Sequence, residues 1–120
     1  AYALRRQPAD CVPYWDYDSP LIPNDVRDSS AAAILAAGLL KLAAYETDLS
    51  QSARWRSAAL PIVQSLWENY TSRGTDYPSI LIHATRSKPA GHMDSGLIYG
   101  DYYFVEALTH LTKPETLSTF

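Results

Sequence analysis

"RDSSAAAILAAGLLKLAAYE", residues 27–46, decides the fold. Asp28 or Ser29 can cap a helix start, because a short oxygen-bearing side chain accepts from the first free backbone N–H groups. The helix predicted from this is residues 30–46. Between Ala31 and Ala44 the only strongly polar residue is Lys41. A helix that is apolar nearly all round must be covered on more than one side. Ala32, Ala36, Gly38 and Ala43 let neighbouring helices come close, while Ile34, Leu35, Leu39 and Leu42 fill the gaps between them.

Two more helical patterns follow. Asp48 with Gln51 three positions on has the form of a capping box, and it opens a pattern with Trp55, Leu60, Ile62, Val63, Leu66, Trp67 and Tyr70 on its apolar side. Arg54, Arg56, Gln64, Glu68 and Asn69 are left for solvent, as on an outer helix. Pro61 removes a backbone donor inside this pattern and is expected to kink or split the helix. "SRGTDYP", residues 72–78, ends it. "SILIHAT", residues 79–85, is short and apolar, an extended segment, and "RSKPAGHMDSG" is a polar loop. The third pattern, residues 97–111, sets Tyr99, Tyr102, Val105, Leu108 and Leu111 near one face and Glu106 off it. The fold class is therefore all-α, about three helices joined by long aromatic-rich loops. Such loops in a compact domain are usually functional.

At 120 residues, with 47% hydrophobic and 19% charged, the chain has the size and composition of one globular domain. Its net charge is only −3, and no basic cluster is longer than Arg5-Arg6. That leaves no electrostatic footprint for nucleic acid. No apolar run reaches the roughly 18 residues of a membrane span, and the first residues show no signal-peptide pattern. The chain reads as soluble, with neither nucleic acid nor membrane as partner. Cys11 is the single cysteine, so no internal disulfide or cysteine metal site forms, and it reads as an inert thiol. The chain opens on Ala1, in mid-pattern, which reads as a piece of something longer. Three helices, one needing cover on several sides, make a poor bundle, and the missing cover is expected in an N-terminal part of the same chain rather than in a second copy.

The loop 12–29, "VPYWDYDSPLIPNDVRDS", concentrates aromatic and acidic residues. Tyr14, Trp15 and Tyr17 beside Asp16 and Asp18 are residue types that line sugar sites: an aromatic face stacks on the C–H face of a pyranose, and carboxylates accept hydroxyl protons. In an extended segment the two aspartates would point the same way. The other reading of this cluster is structural, with the aromatics wedging the loop against the helices and the acids capping turns or facing water. His83 ends an apolar segment and opens the polar loop, where it can donate to a substrate oxygen or instead to a backbone carbonyl. Ser87 and Lys88, with Arg86, can hold an anionic group or stand as a solvated charge run. His92 and His110 are weaker candidates, the latter in the last turn of a helix, where a histidine favours the dipole. Nothing has metal-ligand spacing, and Ser29 and Ser30 precede no glycine elbow. Asn69-Tyr70-Thr71 matches a glycosylation sequon, with Asn69 on a helix.

Three motifs in order and register, "VPYWDYDSPLIPNDVRDSSAAAI", "ILIHAT" with "SKPAG", and "GLIYGDYYFVEAL", resemble the C-terminal third of the unsaturated glucuronyl hydrolases, glycoside hydrolase family 88. The resemblance runs from Val12 to Leu111. It implies that residues 1–120 are a C-terminal fragment of a single (α/α)6 barrel catalytic domain, in which loop 12–29 shapes the cleft end and loop 84–96 is a polar substrate-side loop. It also implies an oligosaccharide partner bearing a 4,5-unsaturated uronic acid, and a reaction in which an aspartate protonates the double bond and activates water, without metal or cofactor. The hydrated product opens and the glycosidic bond falls apart. The catalytic aspartates are expected upstream of this segment, so none is assigned here. His83, Ser87, Lys88 and Trp15 are the expected substrate-binding residues, and the location is cytoplasmic if it follows bacterial family members. The alternative is a small helical carbohydrate-binding or protein-interaction module without catalysis.

Overall fold

The computed structural model describes residues 2–75, 79–83 and 98–112. It contains four helices in chain order: α1 (Tyr2–Arg6), α2 (Ser29–Tyr45), α3 (Leu49–Asn69) and α4 (Ile98–Thr112). The three long ones are those the apolar patterns predict, with ends within a residue or two. The short α1 adds an element that the sequence did not suggest. Strand pairing among the described residues is confined to two isolated antiparallel bridges, Tyr14 with Arg27 and Thr71 with Leu81.

Both predicted N-cap carboxylates are in place, but the Asp48–Gln51 capping box is only half made, because the Asp48 amide donates to Glu46 Oε1 at 3.0 Å. The Asp28 carboxylate accepts from the Ser30 amide at 3.1 Å and from the Ser30 hydroxyl at 2.5 Å. Asp48 accepts from the amides of Ser50 and Gln51 at 2.9 and 3.3 Å. Each such cap is worth about 1 kcal/mol. α3 runs unbroken through Pro61, so the expected split does not occur. The donor that Pro61 lacks would have reached the Ser57 carbonyl, and both residues lie on the exposed side, where solvent can satisfy that carbonyl.

α2 is the centre of the assembly, packing against α3 on one side and α4 on the other, while α3 and α4 barely meet. Its alanines allow this: Ala32, Ala33, Ala36 and Ala37 are fully buried with Leu39 and Leu40, and Ile62, Leu66, Leu81 and Phe104 complete the core. Burying a leucine or phenylalanine side chain of this kind stabilises by about 1.5–3 kcal/mol. Ile34, Leu42 and Tyr45 on the remaining side of α2 are exposed.

The apolar faces of α3 and α4 differ from those read in the sequence. On α3, Ala59, Ile62, Val63 and Leu66 are buried, but Leu60 and Trp67 are nearly half exposed. On α4, Tyr99, Tyr102 and Val105 face outward, while Gly100, Phe104 and Ala107 point inward and Leu111 packs on the core. Gly100 sets this rotation. A β-carbon built there would stand 3.0 Å from Ser30 Cβ and 3.4 Å from Ser30 Cα, so the first turns of α2 and α4 touch through the glycine. Glu106 is consequently buried, not off the face, and Lys41 of α2 compensates it at 2.7 Å. His110, in the last turn of α4 as expected, is also fully buried, with Nε2 3.4 Å from Glu106 Oε1.

Candidate functional site

Loop 12–29 is a closed loop pinned at its neck. Beside the Tyr14–Arg27 bridge, the Trp15 amide donates to the Val26 carbonyl at 3.1 Å and the Asp28 amide to the Pro13 carbonyl at 2.9 Å. Inside it, Asp16 accepts from the Asp18 amide at 2.9 Å, a turn rather than the extended geometry that would point both acids one way. Asp18 pairs with Arg6 of α1 at 2.7 Å on the exposed surface. Among these acids the structural reading fits the observed contacts.

The neck of the loop meets the start of α2, the end of α3 and segment 79–83. That segment is held on several sides. The Ser72 amide donates to the Ile80 carbonyl at 2.9 Å and the Ile82 amide to the Tyr70 carbonyl at 2.8 Å. Asp101, in the first turn of α4, accepts from the amides of Ile80 and Leu81 at 3.0 and 2.8 Å. Ser29 closes the set: its hydroxyl donates to the Ile82 carbonyl at 2.6 Å and its amide to the His83 carbonyl at 3.0 Å. Ser29 and Ser30 are both buried, so neither hydroxyl is presented to the cleft as a nucleophile.

His83 emerges from this clamp exposed and with φ of 61°, in the left-handed region that few residues with a β-carbon adopt. It lines an open cleft of about 420 Å³ with Asp25, Val26, Arg27, Asn69 and Tyr70. The imidazole and the Tyr70 ring are perpendicular, centroids 5.9 Å apart at 89°.

Beneath the cleft, residues from three segments converge. Arg27 donates to Asp10 Oδ1 and to the Val12 carbonyl, each at 2.8 Å, and to the Tyr14 hydroxyl at 3.2 Å, with its guanidinium 4.1 Å from the centre of the Tyr14 ring. The Tyr70 hydroxyl donates to Asp10 Oδ2 at 2.6 Å. Burial pushes the Asp10 carboxyl up, but the hydrogen bonds from Tyr70, Arg27 and the Val12 amide, with the Arg27 charge, outweigh it and hold it below the usual value. Burial, and then the bond to Asp10, push the Tyr70 phenol well above its ordinary range, so it stays a donor. Cys11 beside this cluster is held a thiol by burial and by the Asp10 charge, in keeping with an inert role.

Of the residues expected to bind substrate, His83 lies in the cleft. Trp15 is half-buried in the adjoining loop, joined to the cleft through its backbone bond to Val26 rather than lining it. Ser87, Lys88, Arg86 and His92, and with them loop 84–96, lie outside the described residues. Asp25, Arg27, Asn69 and Tyr70 were not singled out as cleft residues in the sequence. Among the described residues no cluster of His, Cys, Asp and Glu could hold a metal, and no helix is long and apolar enough to cross a membrane.

An all-α assembly with its cleft at the helix ends is a part of an α/α barrel, the fold of the solved structures it matches. No protein-family model matches the chain. It is similar along nearly its whole length to the C-terminal third of the unsaturated glucuronyl hydrolases, the part its motifs indicate. It is 38% identical to the unsaturated glucuronyl hydrolase of Bacillus sp. (strain GL1), over 94% of this chain and 31% of the relative. It is 37% identical to the unsaturated chondroitin disaccharide hydrolase of Streptococcus pneumoniae, over 93% of this chain and 29% of the relative. The crystal structure of the Bacillus enzyme superposes with a TM-score of 0.83 at 34% identity, covering 92% of this chain and 30% of that one. A structure of the Streptococcus agalactiae unsaturated glucuronyl hydrolase gives 0.85 at 31% identity, over 94% and 33%. The chain thus spans about a third of the length of the proteins it matches.

Proposed function

We propose that this chain is the C-terminal part of a glycoside hydrolase that releases a 4,5-unsaturated uronic acid from lyase-generated oligosaccharides by hydrating the vinyl ether. In this reading the segment supplies barrel closure and one wall of the cleft, and the catalytic aspartates lie in the part of the protein upstream. His83, with Ser87, Lys88 and Trp15, binds the sugar. A solved relative from Streptococcus agalactiae is complexed with the unsaturated disaccharide dGlcA-GalNAc6S, which fits that substrate class.

The observation that carries the reading is His83. The histidine of the "ILIHAT" motif is lifted from a clamped segment into an open cleft at the N-terminal end of α2, its backbone in a conformation that costs free energy. The outward apolar stripes, Ile34, Leu42 and Tyr45 on α2 and Tyr99, Tyr102 and Val105 on α4, support the partnership with the rest of a barrel. The test is hydration of an unsaturated uronyl disaccharide, followed as loss of the double bond's ultraviolet absorbance. The full-length protein is expected to turn it over and residues 1–120 alone are not. No turnover by the full-length protein on any unsaturated uronide would overturn the reading.

A further inference from the structure

We propose that Tyr70 is a positioning residue for His83, pinned in turn by Asp10 and Arg27. This rests on the reading of His83 as a substrate-binding residue. Tyr70 governs the histidine in two ways. Its carbonyl accepts from the Ile82 amide at 2.8 Å, which fixes the backbone one residue before His83. Its ring stands perpendicular to the imidazole, centroids 5.9 Å apart at 89°, within the range in which perpendicular rings attract. The tyrosine itself is held at its far end, where the hydroxyl donates to Asp10 Oδ2 at 2.6 Å and receives Arg27 Nη1 at 3.4 Å. Asp10 is fixed by Arg27 and by the Val12 amide at 3.2 Å. The hydroxyl thus gives the ring a second anchor beyond its packing. With it, ring tilt and imidazole tilt are set together, and a substrate hydrogen bond from His83 depends on that direction.

The test is a double-mutant cycle in the full-length protein with Tyr70→Phe and His83→Gln, kcat/KM being measured on an unsaturated uronyl disaccharide. Tyr70→Phe keeps the ring and cuts the anchor. It should lower kcat/KM about 3- to 10-fold, the range of one neutral hydrogen bond, but by less than about 2-fold once His83 is glutamine. Asp10→Asn cuts the same chain from its other end and should behave alike if Tyr70→Phe folds poorly. Equal losses in both backgrounds would overturn the proposal. Histidine-ring NMR is read in parallel and needs no turnover: the His83 ring resonances, assigned by their loss in His83→Gln, should move in Tyr70→Phe and in Asp10→Asn. Unmoved ring resonances overturn the positioning role. An inactive wild type with moving resonances overturns the hydrolase reading and leaves the positioning intact.

Discussion

The Tyr70 hydroxyl lies 2.6 Å from Asp10 Oδ2, joining residues 60 apart in sequence across the floor of the cleft. Arg27 reaches the other oxygen of the same carboxylate, so one acid ties the N-terminal segment, the neck of loop 12–29 and the end of α3 together. The arrangement has a pH signature. The Asp10 carboxyl is held below its ordinary value of 3.8, so its contribution to stability is present above that value and is lost as pH falls through the folded-state value. Wild-type stability should drop on acidification below about pH 4, and Asp10→Asn should flatten that part of the profile. At pH 7 the substitution should cost about 1.5–3 kcal/mol, the range of a charge-assisted hydrogen bond. Urea denaturation at several pH values checks both, and an unchanged acid limb in Asp10→Asn would assign the carboxylate no such role.

Gly100→Ala should destabilise the protein although alanine is the better helix former. The helix-propensity gain is about 1 kcal/mol, whereas forcing a methyl group into a tight contact costs about 1–3 kcal/mol. Ser30 cannot yield readily, since its amide and hydroxyl are both tied to Asp28. A net loss of about 1 kcal/mol is expected in chemical denaturation. A gain would mean that α4 can move away from α2 at little cost.

The buried pair across the α2–α4 interface should be strongly coupled. Glu106 is almost inaccessible, with Oε1 shared by Lys41 and His110 and Oε2 buried without a hydrogen-bond partner among the described residues. Lys41→Met leaves that carboxylate with only His110 beside it and should cost about 2–4 kcal/mol, below the full burden of breaking a buried pair because Lys41 is partly exposed. Adding Glu106→Leu removes that charge and should recover most of the loss. Additive losses in the double variant would show that the pair is not a unit.

These cases divide what was legible in the sequence from what was not. Asp28 and Asp48 announced their helices because capping is local, set by a carboxylate and the next two or three amides. Ala32 and Ala36 likewise declared that neighbours approach α2 closely, whereas Gly38, read in the same way, is exposed with no described residue near the place of a β-carbon. The rotation of α4 was hidden: two apolar stripes compete on it, and the choice is made by Ser30 and Lys41, some 60–70 positions away, which fit Gly100 and Glu106. In the site, His83 stood out because a histidine broke an apolar run. Arg27, Asp10 and Tyr70 carried no local signal, each being an ordinary residue until the fold brings the three together.

The last prediction separates the backbone of His83 from its ring. At φ of 61° a β-carbon is unfavourable, and glycine is the residue that relieves it. His83→Ala keeps that strain and deletes the ring, whereas His83→Gly deletes both. If the ring serves substrate, the two variants of the full-length protein should lose the same activity. That loss is about 3- to 10-fold in kcat/KM for a neutral hydrogen bond and 10- to 150-fold if the partner is the uronate carboxylate. Their stabilities should diverge, with the glycine variant about 0.5–1 kcal/mol above the alanine variant, because relief of the left-handed β-carbon exceeds the entropy that glycine adds to the unfolded chain. Parallel melting curves and kinetics decide it. If activity follows stability instead, so that the glycine variant regains kcat/KM as it regains Tm, then what the cleft needs at this position is a backbone shape and not an imidazole, and the substrate role of His83 falls.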